Sequence, residues 1–252
     1  MVPDNVFRRP TLIPACLVVA LLLGFGNAVN DLFDLEIDSR AKPSRPLPSG
    51  RLRPKEGLGL AIGLLVTSFV LSLWYLPLPL TGVAVLMALL AVAYSWRLKG
   101  TALLGNLIVA FECAASLPFG ALAVSRVLNT RLLTSTTLIF LGVLIVEVAK
   151  AVQDREGDLL FGVKTLAARW TMATQHIVLG GLLLVYLFLW MLAILHHPPT
   201  SYVSASLIIV PAIPLAWYVA ISWEITAATI GSYIRLSKTL WILALLGLLS
   251  LR

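Results

Sequence analysis

Charged side chains are scarce in this sequence. Only 12% of its 252 residues are charged, 59% are apolar, and the mean hydropathy is +0.94. A soluble domain carries about 25% charged and about 45–50% apolar residues. The low charge excludes a soluble globular enzyme and a disordered chain, and the apolar excess requires a lipid environment. At roughly 20 apolar residues per spanning helix, the length allows about seven to nine helices with short loops.

Cysteine is nearly absent as well. Cys16 and Cys113 are the two cysteines, and each lies within an apolar stretch. Two isolated thiols give neither a disulfide framework nor a metal-binding spacing, so we expect both to be buried and inert. No secretory signal peptide is visible, because the apolar run after Arg8 and Arg9 is too long for a signal core and lacks a small-residue cleavage site.

Eight apolar segments account for most of the chain. They cover residues 11–30, 58–75, 78–96, 102–124, 132–152, 174–195, 202–222 and 239–251. Backbone polar groups in lipid must be hydrogen-bonded within the segment, so each is predicted to be a helix. The predicted fold is therefore all-α, a polytopic transmembrane bundle.

The basic residues are distributed unevenly between the two sides of this bundle. The net charge is +7, and the basic residues lie between the apolar runs. This placement indicates membrane topology and no nucleic-acid partner. If the eight segments alternate in direction, all but five of the 19 basic residues fall on one side. The positive-inside bias predicts that this side is cytoplasmic.

Seven of the 12 acidic residues fall in two short clusters, each directly after an apolar segment on the predicted cytoplasmic side. The clusters contain Asp31, Asp34, Glu36 and Asp38, and Asp154, Glu156 and Asp158. If the preceding helices continue, Asn30, Asp34 and Asp38 recur every four residues on one helical face, as do Lys150, Asp154 and Asp158. Two stacks of polar side chains therefore follow two spanning helices.

Such stacks predict a metal site. Neighbouring carboxylates repel one another, so a chain this poor in charge is expected to keep two stacks only with a counter-ion. Mg²⁺ binds through a few carboxylates together with substrate phosphates and water. Metal and nearby basic side chains would form a clamp for a polyanion such as diphosphate. One cluster alone is equally well explained as solvated helix ends, but two on the same side favour a functional site.

Four motifs together carry a family resemblance. They are N-D-L-F-D-L-E-I-D at 30–38, a basic and proline-rich stretch at 42–50, Y-S-W-R-L-K at 94–99 and D-R-E-G-D at 154–158. Their order and spacing resemble those of the UbiA-type intramembrane prenyltransferase superfamily, and look most like its archaeal digeranylgeranylglyceryl phosphate synthase branch. The resemblance implies nine transmembrane helices around a central cavity with a cytoplasmic cap.

One departure from the family concerns the first helix. The family has a full helix before the one that ends in the first motif, whereas only ten residues precede that helix here. We therefore expect residues 1–252 to form a single transmembrane prenyltransferase domain that lacks the family's first helix, either because the sequence is truncated or because the helix is truly absent.

The resemblance also implies roles for individual residues, with Mg²⁺ as cofactor and an isoprenyl diphosphate as donor. The expected metal ligands are Asn30, Asp34, Asp154 and Asp158. The expected diphosphate contacts are Lys42, Arg45, Ser95, Lys99 and Lys164. Three further residues are expected to act in catalysis or on the acceptor side, namely Asp31, Asp38 and Tyr94. Other basic residues on that side are read as topology anchors, among them Arg51, Arg53 and Lys55.

The predicted function is Mg²⁺-dependent transfer of an isoprenyl group from an allylic diphosphate, with geranylgeranyl diphosphate expected, to a lipophilic acceptor in the cell membrane. The first motif looks more like that of the lipid and chlorophyll branches of the family than that of the hydroxybenzoate branch. The resemblance therefore implies geranylgeranylglyceryl phosphate as acceptor, with 4-hydroxybenzoate-type aromatic prenylation as the alternative. A remoter alternative is an ion or proton-coupled transporter, because Glu112 and Glu147 lie within apolar segments. The transporter is disfavoured because the sequence shows no internal repeat.

Overall fold

The structure is a computed structural model, and it describes residues 10–101, 103–124, 128–153 and 170–196, together with residues 232 and 234. In these ranges the chain forms seven α-helices and no strand. They are α1 (Leu12–Phe33), α2 (Leu35–Ala41), α3 (Pro54–Tyr75), α4 (Leu78–Trp96), α5 (Leu104–Val124), α6 (Thr130–Gln153) and α7 (Met172–His196). A short 3-10 helix, Leu98–Gly100, follows α4.

All the helices except α2 are long and apolar enough to cross a membrane. They coincide with the first six predicted segments, and α4 has the predicted bounds. The prediction of an all-α transmembrane bundle is therefore confirmed. The last two predicted segments, 202–222 and 239–251, lie outside the described residues, so the helix count of the whole chain and the cap stay predictions.

Helix α3 begins four residues before its apolar run. Pro54 occupies its first position, where a missing N–H costs no hydrogen bond. The backbone N–H of Arg53 donates to Glu56 Oε2 at 2.8 Å, which satisfies one of the free groups at the helix start. Local capping therefore extends the helix into a charged first turn.

Contacts divide the chain into two compact units, residues Met1–Lys99 with Ala115–Leu128 and residues Gly100–Ala114 with Asn129–Arg252. In the first unit α1 packs against α3 and α4. Small residues allow this packing, as at Gly24, where a Cβ would lie 3.3 Å from Leu64 Cδ1. Phe25, Val29, Ala61 and Ala88 form part of the buried core.

In the second unit α6 packs against α7. Its core contains the buried side chains of Ile145, Leu183, Tyr186 and Trp190. The thiols deviate from expectation, because Cys16 and Cys113 are both exposed on helix surfaces rather than buried. Each occupies a helix long and apolar enough to span a membrane.

The segment between α2 and α3, residues 42–53, folds back on itself. Arg51 donates to the backbone oxygen of Ser44 and, from Nε at 3.1 Å, to Ser49 Oγ. Gly50 has a φ of +75°, in the left-handed region that favours glycine. This segment is called the proline loop below, after Pro43, Pro46 and Pro48.

An apolar side chain of the proline loop packs against the ends of the spanning helices. Leu47 is buried, with 8% of its surface exposed. A Cβ on Gly57 would lie 3.3 Å from both Leu47 Cδ2 and Leu32 Cδ2. Because Gly57 has no side chain, Leu47 can pack at the junction of α1 and α3, which places the loop beside the first acidic cluster.

Candidate active site

The first acidic cluster begins at the end of α1. Asp34 lies between α1 and α2, with φ −89° and ψ 0°, and its N–H donates to Asn30 O at 2.9 Å. The N–H of Asp38 donates to Asp34 O at 2.7 Å, so helical hydrogen bonding runs through the junction. Asn30, Asp34 and Asp38 are therefore one helical turn apart, which is the spacing that the sequence predicted.

Asn30 and Asp34, two of the predicted metal ligands, contact each other. Asn30 Nδ2 donates to Asp34 Oδ2 at 3.0 Å. The other carboxylate oxygen, Oδ1, accepts from the ammonium of Lys99. The Asp34 side chain is 20% exposed and that of Lys99 is 25% exposed, so the ion pair is largely shielded from water. Lys99 thus reaches the first motif from the end of α4, 65 residues away along the chain.

Asp31 and Asp38 are joined by Arg45 of the proline loop. Arg45 Nη1 donates to Asp31 Oδ1 at 3.0 Å and to Asp38 Oδ2 at 2.5 Å. Lys42 Nζ lies 3.9 Å from Asp38 Oδ1. The Asp38 side chain is 6% exposed, compared with 39% for Arg45 and 58% for Lys42. Asp38 is therefore a buried carboxylate whose main counter-ion is Arg45.

Two polar groups occupy the last turn of α4, just before Lys99. Tyr94 is partly buried, and Ser95 is buried, with 1% of its surface exposed. Ser95 Oγ has no hydrogen-bond partner among the described residues. The burial of these two side chains does not identify a ligand for either of them. The predicted roles of Tyr94 and Ser95 therefore stay predictions.

The second acidic motif and one predicted diphosphate contact, which are Asp154, Asp158 and Lys164, lie outside the described residues. The helix that leads to them, α6, is described up to Gln153. Near its end Lys150 donates to Glu147 Oε1, and the Glu147 side chain is 14% exposed. This acid is paired within its own helix, whereas Glu112 Oε1 of α5 is buried without a partner in the described part of the second unit.

The described residues of the first motif are chemically suited to bind Mg²⁺. Asn30 and Asp34 supply an amide and a carboxylate oxygen one turn apart, and hard oxygen ligands of this kind suit Mg²⁺. Within the described ranges no three acidic, His or Cys side chains lie close enough to hold a metal alone. Mg²⁺ often uses only one or two carboxylates with substrate phosphates.

These features define a class of protein. The first unit is a transmembrane helical bundle that carries, at one end of its helices, carboxylates paired with cations from the proline loop and from the end of α4. The sequence model of the UbiA prenyltransferase family matches residues 1–238. The chain belongs to the UbiA prenyltransferase family, so the prediction of a membrane prenyltransferase is confirmed and the transporter alternative is excluded.

Several relatives of the chain carry the name digeranylgeranylglyceryl phosphate synthase. The chain is 34% identical over 244 residues to the digeranylgeranylglyceryl phosphate synthase of Korarchaeum cryptofilum, covering 93% of this chain and 84% of the relative. It is 46% identical over 150 residues to the synthase of the same name from Ignicoccus hospitalis. That alignment covers 56% of this chain and spans about half, 48%, of the relative.

Solved structures show the same fold. One, from a study of digeranylgeranylglyceryl phosphate synthase in membranes, has a TM-score of 0.74 at 26% identity and covers 94% of this chain and 83% of its own. A UbiA homologue from Archaeoglobus fulgidus bound to GPP and Mg²⁺ has a TM-score of 0.67 at 14% identity, with 94% of this chain and 87% of that chain covered.

The sequence analysis did not predict which acidic residues pair with Arg45 and with Lys99. The structure pairs Arg45 with Asp31 and Asp38, and Lys99 with Asp34. Both cations therefore neutralise the first motif itself. These pairs do not test the diphosphate contacts expected for Arg45 and Lys99, which stay predictions. The only sequence signal for this arrangement is that basic residues follow the motif and follow α4.

Proposed function

We propose that this protein transfers a geranylgeranyl group from geranylgeranyl diphosphate to the free hydroxyl of geranylgeranylglyceryl phosphate, with Mg²⁺ as cofactor. The observation that carries the proposal is the pairing of Asn30 with Asp34, and of Asp34 with Lys99, at the end of a membrane-spanning helix. It joins metal-type ligands to a cation of the kind that binds diphosphate, at a position next to lipid. The names of the relatives support the choice of acceptor.

In this reaction the allylic C–O bond breaks and the diphosphate leaves with the electron pair. The acceptor oxygen then forms a new C–O bond to the same carbon and loses its proton. When bound, Mg²⁺ stabilises the negative charge that develops on the diphosphate. Asn30 and Asp34, with Asp154 and Asp158, would hold the metal. Lys99 and Lys164 would contact the diphosphate, and Tyr94 would donate to it.

We assign different roles to the two cations of the proline loop that were predicted to contact the diphosphate, Arg45 and Lys42. Arg45 is engaged by two carboxylates, so its expected effect on the diphosphate is indirect, through the position of the proline loop. Lys42 is the freer of the two loop cations, because its ammonium lies 3.9 Å from Asp38 and its side chain is 58% exposed. Lys42 is therefore the better candidate for direct diphosphate contact.

The acceptor is tested by a panel of two compounds. Purified protein in detergent is given geranylgeranyl diphosphate with either geranylgeranylglyceryl phosphate or 4-hydroxybenzoate, with Mg²⁺ or with EDTA. We expect an ether product from the glyceryl phosphate only, and none with EDTA, because the leaving diphosphate is then without its metal. Prenylated 4-hydroxybenzoate as the main product would establish the aromatic alternative.

The membrane orientation is tested by cysteine labelling. We propose that the proline loop faces the cytoplasm, because 14 of the 19 basic residues lie on its side. In a background with Cys16 and Cys113 replaced by alanine, Ser49→Cys should react with a membrane-impermeant maleimide only from the cytoplasmic face. Leu128→Cys, in the connection between α5 and α6, should react only from the opposite face. Labelling with the two faces exchanged would invert the topology.

A further inference from the structure

Asp34 has both of its carboxylate oxygens engaged within the protein. Oδ2 accepts from Asn30 Nδ2 at 3.0 Å, and Oδ1 accepts from Lys99 Nζ. Asn30, the second predicted metal ligand of this motif, also presents its NH₂ rather than its amide oxygen to Asp34. The amide must turn over before that oxygen can replace the NH₂ at this position. The two predicted ligands are thus satisfied by each other and by Lys99.

This arrangement sets a condition for metal binding. A divalent cation at Asp34 would lie beside the ammonium of Lys99, and two like charges repel strongly where water is largely excluded. Asp34 and Lys99 are 20% and 25% exposed, so screening by solvent is limited. Lys99 must therefore leave Asp34, and it needs another anion to make its departure favourable. Its long flexible side chain allows such a move.

We propose that Lys99 couples metal binding to diphosphate binding by exchanging partners. It neutralises Asp34 in the absence of donor, and it moves to the diphosphate when Asp34 binds the metal. The inference rests on the proposed function, and it concerns the order in which that site is filled. The ligands involved are a divalent cation and the diphosphate group of the donor.

A partner exchange of this kind predicts that the divalent cation and the diphosphate each increase the affinity of the protein for the other. Bound metal displaces Lys99 from Asp34 and so frees its ammonium to contact the diphosphate. Bound diphosphate holds Lys99 away from Asp34 and so removes the charge repulsion that opposes metal binding. Couplings between two ligands are typically about 5- to 150-fold, and the factor must be equal in both directions. Metal alone should therefore bind weakly, and diphosphate should tighten metal binding by the same factor by which metal tightens diphosphate.

Lys99→Met tests the exchange without any turnover. Binding of Mn²⁺, which replaces Mg²⁺ and is visible by electron paramagnetic resonance, is measured alone and with inorganic diphosphate. Diphosphate binding is measured by calorimetry. In Lys99→Met we expect Mn²⁺ alone to bind about tenfold more tightly, diphosphate alone to bind about tenfold more weakly, and the coupling factor to shrink to a few-fold. Lys99→Gln, which keeps a donor for Asp34, should shift both affinities in the same directions.

Lys55→Met is the matched control. It removes the same charge from an exposed position at the start of α3, and salt screens exposed charges, so neither affinity should change by more than about twofold. A purely structural role of Lys99 would weaken both ligands together, and unchanged or weaker Mn²⁺ binding in both Lys99 variants would overturn the proposal. If the wild-type protein binds neither ligand, the proposed function itself fails.

Discussion

Replacing Asp34 with alanine is expected to lower kcat by a factor of about 10²–10³, the usual effect of removing one preorganised electrostatic contact to a transition state. Asp34 is the carboxylate on which Asn30 and Lys99 converge. Without it, the metal loses a charged ligand while negative charge develops on the leaving diphosphate, and a higher donor concentration cannot compensate. Initial rates at saturating geranylgeranyl diphosphate, measured over a Mg²⁺ titration, give this factor directly.

Two companion variants make the result specific. Asp158→Ala should cause a loss of similar size, because the second motif is expected to hold the same metal. Arg53→Ala should leave kcat and KM close to wild type. The start of α3 depends on the backbone N–H of Arg53, which alanine keeps. Near wild-type kcat in Asp34→Ala and Asp158→Ala would show that these carboxylates are not metal ligands.

The spanning helices were predictable because hydropathy is a local property. A run of about 20 apolar residues marks a span whatever surrounds it. The bounds of α4 agree with the prediction for this reason. The start of α3 at Pro54 was not predictable from hydropathy, since Pro54, Lys55 and Glu56 are not apolar and join the helix through capping.

The site was predictable only in part. The four-residue spacing of Asn30, Asp34 and Asp38 depends on helical periodicity alone, and the structure retains it. The partners of the cations depend on tertiary structure instead. Arg45 reaches Asp31 because Leu47 packs beside Gly57 and fixes the proline loop on the helix ends. Sequence spacing contains no information about that contact, so the pairing of Arg45 with Asp31 could not be predicted from it.

The polar residues of the first motif therefore form two groups with different electrostatic roles. Asn30, Asp34 and Lys99 form a partly buried group whose cation has a flexible side chain. Asp31, Asp38 and Arg45 form a second group in which one guanidinium bridges two carboxylates. A planar guanidinium holds carboxylates in a fixed geometry, whereas a lysine ammonium exchanges partners readily. The first group is suited to ligand binding and the second to holding the loop in place.

This division predicts a large effect of Arg45→Met on stability. The variant leaves the Asp38 carboxylate buried, with 6% of its side chain exposed. Among the described residues its one remaining counter-ion is then Lys42, at 3.9 Å. Breaking a fully buried ion pair costs about 3–5 kcal/mol, and since Arg45 is partly exposed we expect a loss of about 2 kcal/mol. The free energy of unfolding is measured by titrating detergent micelles of the protein with dodecyl sulfate.

Two further variants separate a positioning role of Arg45 from a direct diphosphate contact. Lys42→Met removes a solvent-exposed partner at 3.9 Å and should cost less than about 1 kcal/mol. Arg45→Met combined with Asp38→Leu removes the orphaned charge and should recover most of the lost stability, because replacing both members of a buried pair by apolar groups is often neutral. If Arg45→Met is as stable as wild type and raises only the KM for the donor, Arg45 contacts the diphosphate directly, and its contacts with Asp31 and Asp38 do not determine how the proline loop is held.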